Sequence, residues 1–349
     1  MVLKYLQEHD IESSEYISFF EKYHGKGSYA ERCKRIHWYF KSENFRLLIA
    51  IENGNYVGQS CAYKVTAIVK GKEKELWWGV DGFVLKEMRG KGIGKALQKR
   101  LHEDCLNFTS ASYSSVNGII KKKCGAHELL GYHQYYCPVS CYCTLYAELA
   151  LKKLISRKAT VPRIRLPYLY GMLNKVGALS LYDVRELNET DFNEDLSMFM
   201  ENSLQHKSFH IQRSVSYLRW KYLDNPSIDF VVLEFKKNGC CEAVVFFTRV
   251  YNGMFTISRA KVCKILDVVI KPGSELTQKG LLVLVAQYFK SYGIKLDGIM
   301  TLIPSSYWPQ IKYPASSPFY MLSDLESTLL TDGYLAFSDQ DMEQMYENI

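Results

Sequence analysis

The sequence predicts an α+β protein: a mixed sheet flanked by helices, built twice in tandem. Three observations carry this. Apolar strands alternate with helical segments through about the first 140 residues, and the same order returns after about residue 178. Between one strand and one helix lies "VLKEMRGKGIGKALQKRL" (Val84–Leu101), with three glycines and six cationic side chains in eighteen residues.

The elements follow from spacing. Ser13–Tyr23 and Tyr29–Tyr39 have helical periodicity, with Tyr16, Phe19, Phe20 and Tyr23 recurring three or four apart. "RLLIAI" (Arg46–Ile51) is a short buried strand. "ENGN" then turns the chain into "YVGQSCAYKVTAIV", because Asn-Gly accepts the positive φ that a tight hairpin requires. "KGKEK" makes a second turn into a long strand, Glu75–Leu85, on which Trp77 and Trp78 face opposite sides. A helix follows from about Gly94 to Phe108, with Ile93, Leu97, Leu101, Cys105 and Phe108 on one face. "SASYSSV" reads as a strand, Asn117–Lys123 as a short helix and "ELLGYHQYYCPV" as one or two closing strands. Residues 1–143 form the first domain on this reading, and 144–177 a helix (Thr144–Lys158) and the linker "ATVPRIRLPY".

Residues 178–349 form the second domain. "SLYDVREL" is a strand, and Asn188 or Thr190 caps the next helix. "HWYFKSENFRLLIAIENGNYVG" in the first half answers to "RWKYLDNPSIDFVVLEFKKNGCCEA" in the second, with Trp38 opposite Trp220. "VDGFVLK" lines up with "LDVVIK" and sets Asp81 opposite Asp267. "LLVLVAQYF" (Leu281–Phe289) is apolar nearly all round, as a buried helix is, and "KLDGIMTLIP" is a strand.

Composition narrows the class. Hydrophobic residues are 47% and charged residues 23% of the 349, as in an ordinary globular protein. No apolar run reaches the roughly eighteen residues of a membrane span. "MVLKYLQEHD" lacks the charged head, apolar stretch and cleavage site of a secretory signal, so the expected compartment is the cytoplasm. Ten cysteines include "CPVSCYC" and the adjacent pair Cys240-Cys241, neither of which has zinc-site spacing. Buried free thiols and no metal are expected. The net charge of +7 fits an anionic small molecule; no Lys/Arg block is long enough for a nucleic-acid arm, and no nucleic-acid partner is expected. A homo-oligomer is compatible with the sequence.

Glycines at 90, 92 and 94 remove side chains where the backbone must approach something, and the following helix offers unpaired N–H groups to the same place. With Arg89, Lys91 and Lys95 nearby, this is a phosphate cradle. A dinucleotide fingerprint fails, because Lys95 or Leu97 stands where the third glycine belongs. A nucleotide-triphosphate loop fails too: Ala96 follows Lys95, and Arg89 holds the earlier glycine position.

The pattern Arg-x-x-Gly-x-Gly fits, as Arg89-Gly90-Lys91-Gly92-Ile93-Gly94. It resembles the pyrophosphate loop of the GNAT family of N-acetyltransferases, over about Arg46 to Pro138. The resemblance implies two GNAT-type domains and acetyl-CoA, or another acyl-CoA, as co-substrate. It implies cofactor contacts from Val84, Leu85, Arg89, Gly90, Lys91, Gly92, Ile93, Gly94, Lys95, Ala96 and Asn117. In that family the strand before the loop splays from its neighbour, an amide near Val84–Leu85 polarises the thioester carbonyl, and an acceptor amine attacks directly.

Asp81, near the end of the long strand, is the candidate base. Its match to Asp267, in a half without a cradle, equally fits a structural role. The family often carries a thiolate acid, a tyrosine seven residues beyond an asparagine; counting from Asn117 gives Cys124 instead. Tyr113, Tyr132 and Tyr135 are the nearby alternatives, with solvent a further one, and His133 reads as a core or edge residue. The second half lacks the motif and is not expected to hold CoA. Its "YLRWKYLDNP" is similar to tandem GNAT-like proteins of bacterial surface-polysaccharide biosynthesis. That likeness implies an amino-sugar acceptor, nucleotide- or lipid-linked, in a cleft shaped by the second domain. A non-catalytic CoA sensor or scaffold, and an acyltransferase acting on protein or aminoacyl-tRNA, are the other readings of the same loop.

Overall fold

The computed structural model of the protein describes residues 1–111, 115–129, 135–139, 181–249, 251–252, 261–294, 296, 298–301, 311–312, 319–322 and 333–334. The first half runs β1 (Val2–Leu6), α1 (Ser14–His24), α2 (Ser28–Phe40), β2 (Phe45–Glu52), β3 (Asn55–Val69), β4 (Lys72–Val84), α3 (Ile93–Asp104), β5 (Phe108–Ala111), α4 (Ser115–Lys123), β6 (His127–Leu129) and β7 (Tyr135–Pro138). The second begins with β8 (Asp183–Glu186), α5 (Glu194–Leu204), β9 (Phe209–Ile211) and α6 (Val215–Leu218), which runs into a π turn, Arg219–Leu223. It continues with β10 (Phe230–Lys237), β11 (Cys240–Thr248), β12 (Tyr251–Asn252), β13 (Lys261–Ile270), α7 (Gln278–Ser291), β14 (Gly298–Thr301), β15 (Ile311–Lys312) and β16 (Phe319–Leu322).

The turns form where expected. Asn53-Gly54, Lys70-Gly71 and Asn238-Gly239 all take positive φ, between 49° and 79°, and close three hairpins. Four local readings change. β1 pairs antiparallel with β2, where no strand was expected. The helix expected to reach Phe108 stops at Asp104, because Asn107 takes φ 51° and Phe108 opens β5. Asn188 caps only a short 3-10 turn, while α5 starts behind Asn193, whose side chain accepts from the Asp195 and Leu196 N–H groups. Ser115 and Val116, expected in a strand, already belong to α4.

Two eight-stranded mixed sheets result, one in the order β1-β2-β3-β4-β5-β16-β6 and the other β15-β7-β14-β13-β11-β10-β8. β9 pairs with β3, and β12 with β13. The only parallel pairs among the described strands are β4–β5 and β13–β14. The sheets do not follow the division at residues 143 and 178. β7 crosses into the second sheet, against β14 and β15, while β16 inserts between β5 and β6 of the first. The expected helix and linker of 144–177 lie outside the described residues.

Trp77 and Trp78 enter separate cores on the two faces of the first sheet, at 3% and 1% exposure. Between the halves the two matched tryptophans meet. Trp38 and Trp220 stack at 4.7 Å and 11°, and each indole donates to the other's carbonyl, at 2.7 and 3.1 Å. The duplicated helices thus meet about a local pseudo-two-fold axis.

Candidate active site

Among the described residues, the strand before the glycine turn pairs only briefly with its parallel neighbour. β4 and β5 pair at three positions only: Trp77 with Phe108, Trp78 with Thr109 and Gly79 with Ser110. A Cβ at Gly79 would overlap the Phe108 ring, so glycine permits this last rung. Beyond it Val80–Val84 is paired on the β3 side alone among the described strands.

Which amide faces the gap follows from the hydrogen-bond alternation of an antiparallel pair. Leu85 N–H donates to the Val57 carbonyl at 3.0 Å, so the Leu85 amide points to β3 and its side chain is buried. Val84 therefore turns its N–H and C=O towards the gap, and its carbonyl accepts from Arg89 Nε at 3.3 Å. Of the two residues expected to meet the thioester, the geometry leaves Val84.

The turn itself is open. Gly90 and Gly92 take φ of 82° and 81°, Lys91 between them does not take positive φ, and nothing stands within 4 Å of either missing Cβ. Alternating hands of backbone point successive N–H groups into one concavity. Gly92 is the N-cap of α3; no side chain caps the helix, and its first backbone bond runs from Ala96 N–H to the Gly92 carbonyl. The amides of Ile93, Gly94 and Lys95 thus point out of the helix end. Arg89, Lys91 and Lys95 are exposed around them, while Ile93, Leu97 and Leu101 anchor α3 in the core below. These residues fit a diphosphate.

The matched turn of the second half is filled by its own side chains. The Thr277 hydroxyl accepts from Gly280 N–H at 3.1 Å and the Ser274 hydroxyl from Leu276 N–H at 3.1 Å. Its gap is filled as well. β13 parallels β14 only over Val262–Lys264, and further along the Tyr334 hydroxyl accepts from Val268 N–H at 2.9 Å. The same hydroxyl stands 2.6 Å from the Val268 carbonyl and 2.5 Å from Asp267 Oδ1. Burial, with the Asp267 carboxylate beside it, pushes the Tyr334 phenol well above its ordinary pKa.

Asp81 and Asp267 both sit where β4 and β13 shift register, and both meet an arginine. Asp267 is fully buried against Arg213, at 2.8 Å. Asp81 takes φ 45° at its bulge, lies 3.3 Å from Arg35 and keeps its side chain 30% exposed. The Gln59 amide holds the Asp81 carbonyl at 3.2 Å and accepts from the Tyr16 hydroxyl at 3.0 Å.

The other expected residues are less informative. Asn117 lies in α4. Tyr135 begins β7, in the second sheet. Tyr113, Tyr132 and His133 lie outside the described residues. Cys61, Cys105 and Cys263 are buried free thiols, and burial pushes Cys105 up to about 11.

Sequence reading missed a basic group on the other face of β4. Arg32 and Arg35 stand one turn apart on α2, and Arg32 donates to His24 Nδ1 at 2.9 Å. Burial, then the charges of Arg32 and Arg35, lower the His24 pKa to about 4. The i, i+3 spacing of two arginines in "ERCKRIHWYF" was the available signal.

Residues 9–116 match the Acetyltransferase (GNAT) family. No curated protein matches the chain. Similar solved structures include a GCN5-related N-acetyltransferase from Anabaena variabilis, at 11% identity and TM-score 0.57, covering 92% of this chain and 72% of that one. A tandem GNAT protein from the clavulanic acid biosynthesis pathway has 11% identity and TM-score 0.53, over 92% and 98% of the two chains. Saccharomyces cerevisiae N-myristoyltransferase with bound myristoyl-CoA also has 11% identity and TM-score 0.53, over 92% and 78%. At such identities the likeness concerns the fold, and it spans both halves. Residues 9–116 thus match the GNAT acetyltransferase family, and the chain as a whole has a mixed α+β fold similar to that of the tandem GNAT protein.

Proposed function

We propose that the protein transfers an acyl group from acyl-CoA to a primary amine. The observation that carries this reading is the open run of amides from Gly90 to Lys95, beside the β4 edge that β5 leaves bare. Acyl-CoA supplies an acyl group already activated as a thioester. The chain's part is to hold and orient. Amides of the Gly90–Ala96 turn grip the diphosphate, with Arg89, Lys91 and Lys95 balancing its charge. Val84 offers the gap a backbone donor placed for oxyanion stabilisation. Asp81, reaching solvent beside the bulge, takes the proton of the acceptor ammonium, directly or through water. Tyr132, Tyr135 or solvent returns a proton to the thiolate; Asn117 contributes from α4.

Acetyl is the acyl group of this reading, with the cytoplasm as compartment. The acceptor is an amino-sugar, nucleotide- or lipid-linked, of surface-polysaccharide biosynthesis, supported by the likeness of "YLRWKYLDNP" and its surroundings. Free-thiol release from acetyl-CoA, measured across amino-sugars, nucleotide-linked amino-sugars, polyamines and amino acids, tests it. Acceptor-dependent release supports transfer; binding without release points to a sensor, and no binding sinks the reading.

A further inference from the structure

We infer that Gln59 and Tyr16 are positioning residues for Asp81: a buried hydrogen-bond relay from α1 through β3 fixes the backbone that carries its carboxylate out of β4. The inference rests on the reading of Asp81 as the base. Between the pairs Gln59–Phe83 and Cys61–Val80, Ser60 alone stands opposite Asp81 and Gly82, so β4 bulges there. Asp81 takes φ 45° at this bulge. The other described residues, glycine apart, with positive φ are Asn53, Lys70, Asn107 and Asn238, all in turns. Asp81 has it inside a strand, where the surrounding bonds must hold it.

The relay supplies that hold. Gln59 Nε2 donates to the Asp81 carbonyl at 3.2 Å, and the Tyr16 hydroxyl donates to Gln59 Oε1 at 3.0 Å. A carbonyl only accepts, so the amide has one orientation and the phenol must be the donor. Burial raises the Tyr16 phenol well above its ordinary pKa, which keeps that proton in place. Tyr16 and Gln59 are both buried, and Tyr16 is fixed in turn by the rings of Phe19, Phe20 and Tyr29. The second half shows that a bulge by itself needs no such relay. Matching Asp81 to Asp267 sets Phe83 against Val269 and Gln59 against Val244, which has no polar side chain. Asp267 does not take positive φ, and its carboxylate is shut in with Arg213 at 0% exposure, against 30% for Asp81. The half with the glycine cradle is the half that turns its carboxylate outward, and the relay lies beneath it.

The test is a double-mutant cycle on the full chain, read by thiol release from acetyl-CoA with glucosamine, cadaverine or lysine, whichever reacts fastest. Gln59→Met keeps the length of the side chain and removes both bonds. It is expected to lower kcat about tenfold while both KM values stay within about twofold, since the relay touches neither substrate. In the Asp81→Asn background the same substitution should cost less than about twofold, because there is no base left to aim. A merely structural Gln59 would lower kcat alike in both backgrounds, and that result, or an unchanged kcat in the wild-type background, overturns the relay. Acetyl-CoA affinity checks the fold of each variant; should Gln59→Met fail it, Tyr16→Phe, which removes one oxygen, runs the same cycle. Full turnover by Asp81→Asn alone removes the base, and the positioning role falls with it. Should no acceptor release thiol, the acyltransferase reading falls separately, and a crystal structure of Gln59→Met decides the relay: Asp81 is expected to leave positive φ, and an unchanged bulge overturns it.

Discussion

Gly92 shows how little side-chain chemistry the cradle needs. At φ 81° a β-branched residue is strained, and the open space beside it would receive a side chain where the proposed diphosphate would sit. Arg89→Ala combined with Gly92→Val is expected to abolish acetyl-CoA binding in calorimetry while the far-ultraviolet spectrum stays native, since both positions are solvent-exposed. Unchanged affinity would reject the cradle. Asp81 invites a second substitution. As general base, Asp81→Asn lowers kcat by about a hundredfold or more and leaves acetyl-CoA affinity intact. A variant with full turnover would return Asp81 to the structural role that Asp267 plays in the other half.

Among the elements, β13 and α7 set the second half apart from the first. Beyond Gly79 the β4 edge is paired on the β3 side alone among the described strands, whereas on β13 Tyr334 engages the Val268 N–H and carbonyl. Tyr334→Phe leaves the buried Val268 N–H without its acceptor, at a cost of about 1–3 kcal/mol in urea unfolding. It adds no second CoA site, because Thr277 and Ser274 still fill the turn. On α3, the His102 ring packs on Phe108, and among the described residues neither ring nitrogen has a hydrogen-bond partner. Burial, then Lys121, lowers its pKa to about 4, below the ordinary value of about 6.5 in the unfolded chain. The unfolded chain therefore binds more protons between these values. Stability from neutral His102 is complete above about pH 6.5 and drains away as pH falls towards 4. His24 adds a change of the same sign. The melting temperature should fall over that window, and His102→Leu should make the fall shallower; an unaltered slope would count against the buried neutral ring.

For the whole molecule, the exchange of β7 and β16 makes the halves interdependent. A chain ending at residue 143 lacks β16, which lies between β5 and β6, and lacks Trp220, which covers Trp38. Expressed alone it should be unfolded or aggregated, with bare edges at β5 and β6. A soluble monomer of 1–143 that binds acetyl-CoA in calorimetry would refute this. For the same reason, replacing the second half to alter acceptor choice removes a strand from the first sheet.

The sequence by itself determined what is local. Gly90 and Gly92, the three hairpin turns, the buried faces of α3 and the opposed pair Trp77-Trp78 are legible because each depends on neighbours a few residues away. Even the match of Trp38 to Trp220 was visible, though not that the two rings would stack on each other. Tertiary structure alone decided the rest. The tryptophan stack, the Tyr334 plug and the meeting of Arg35 with Asp81 join residues 182, 66 and 46 positions apart in their clearest bonds. No periodicity encodes such pairings: a strand edge exposes the same N–H and C=O groups whichever segment comes to cover it, and only the packed chain selects which one does.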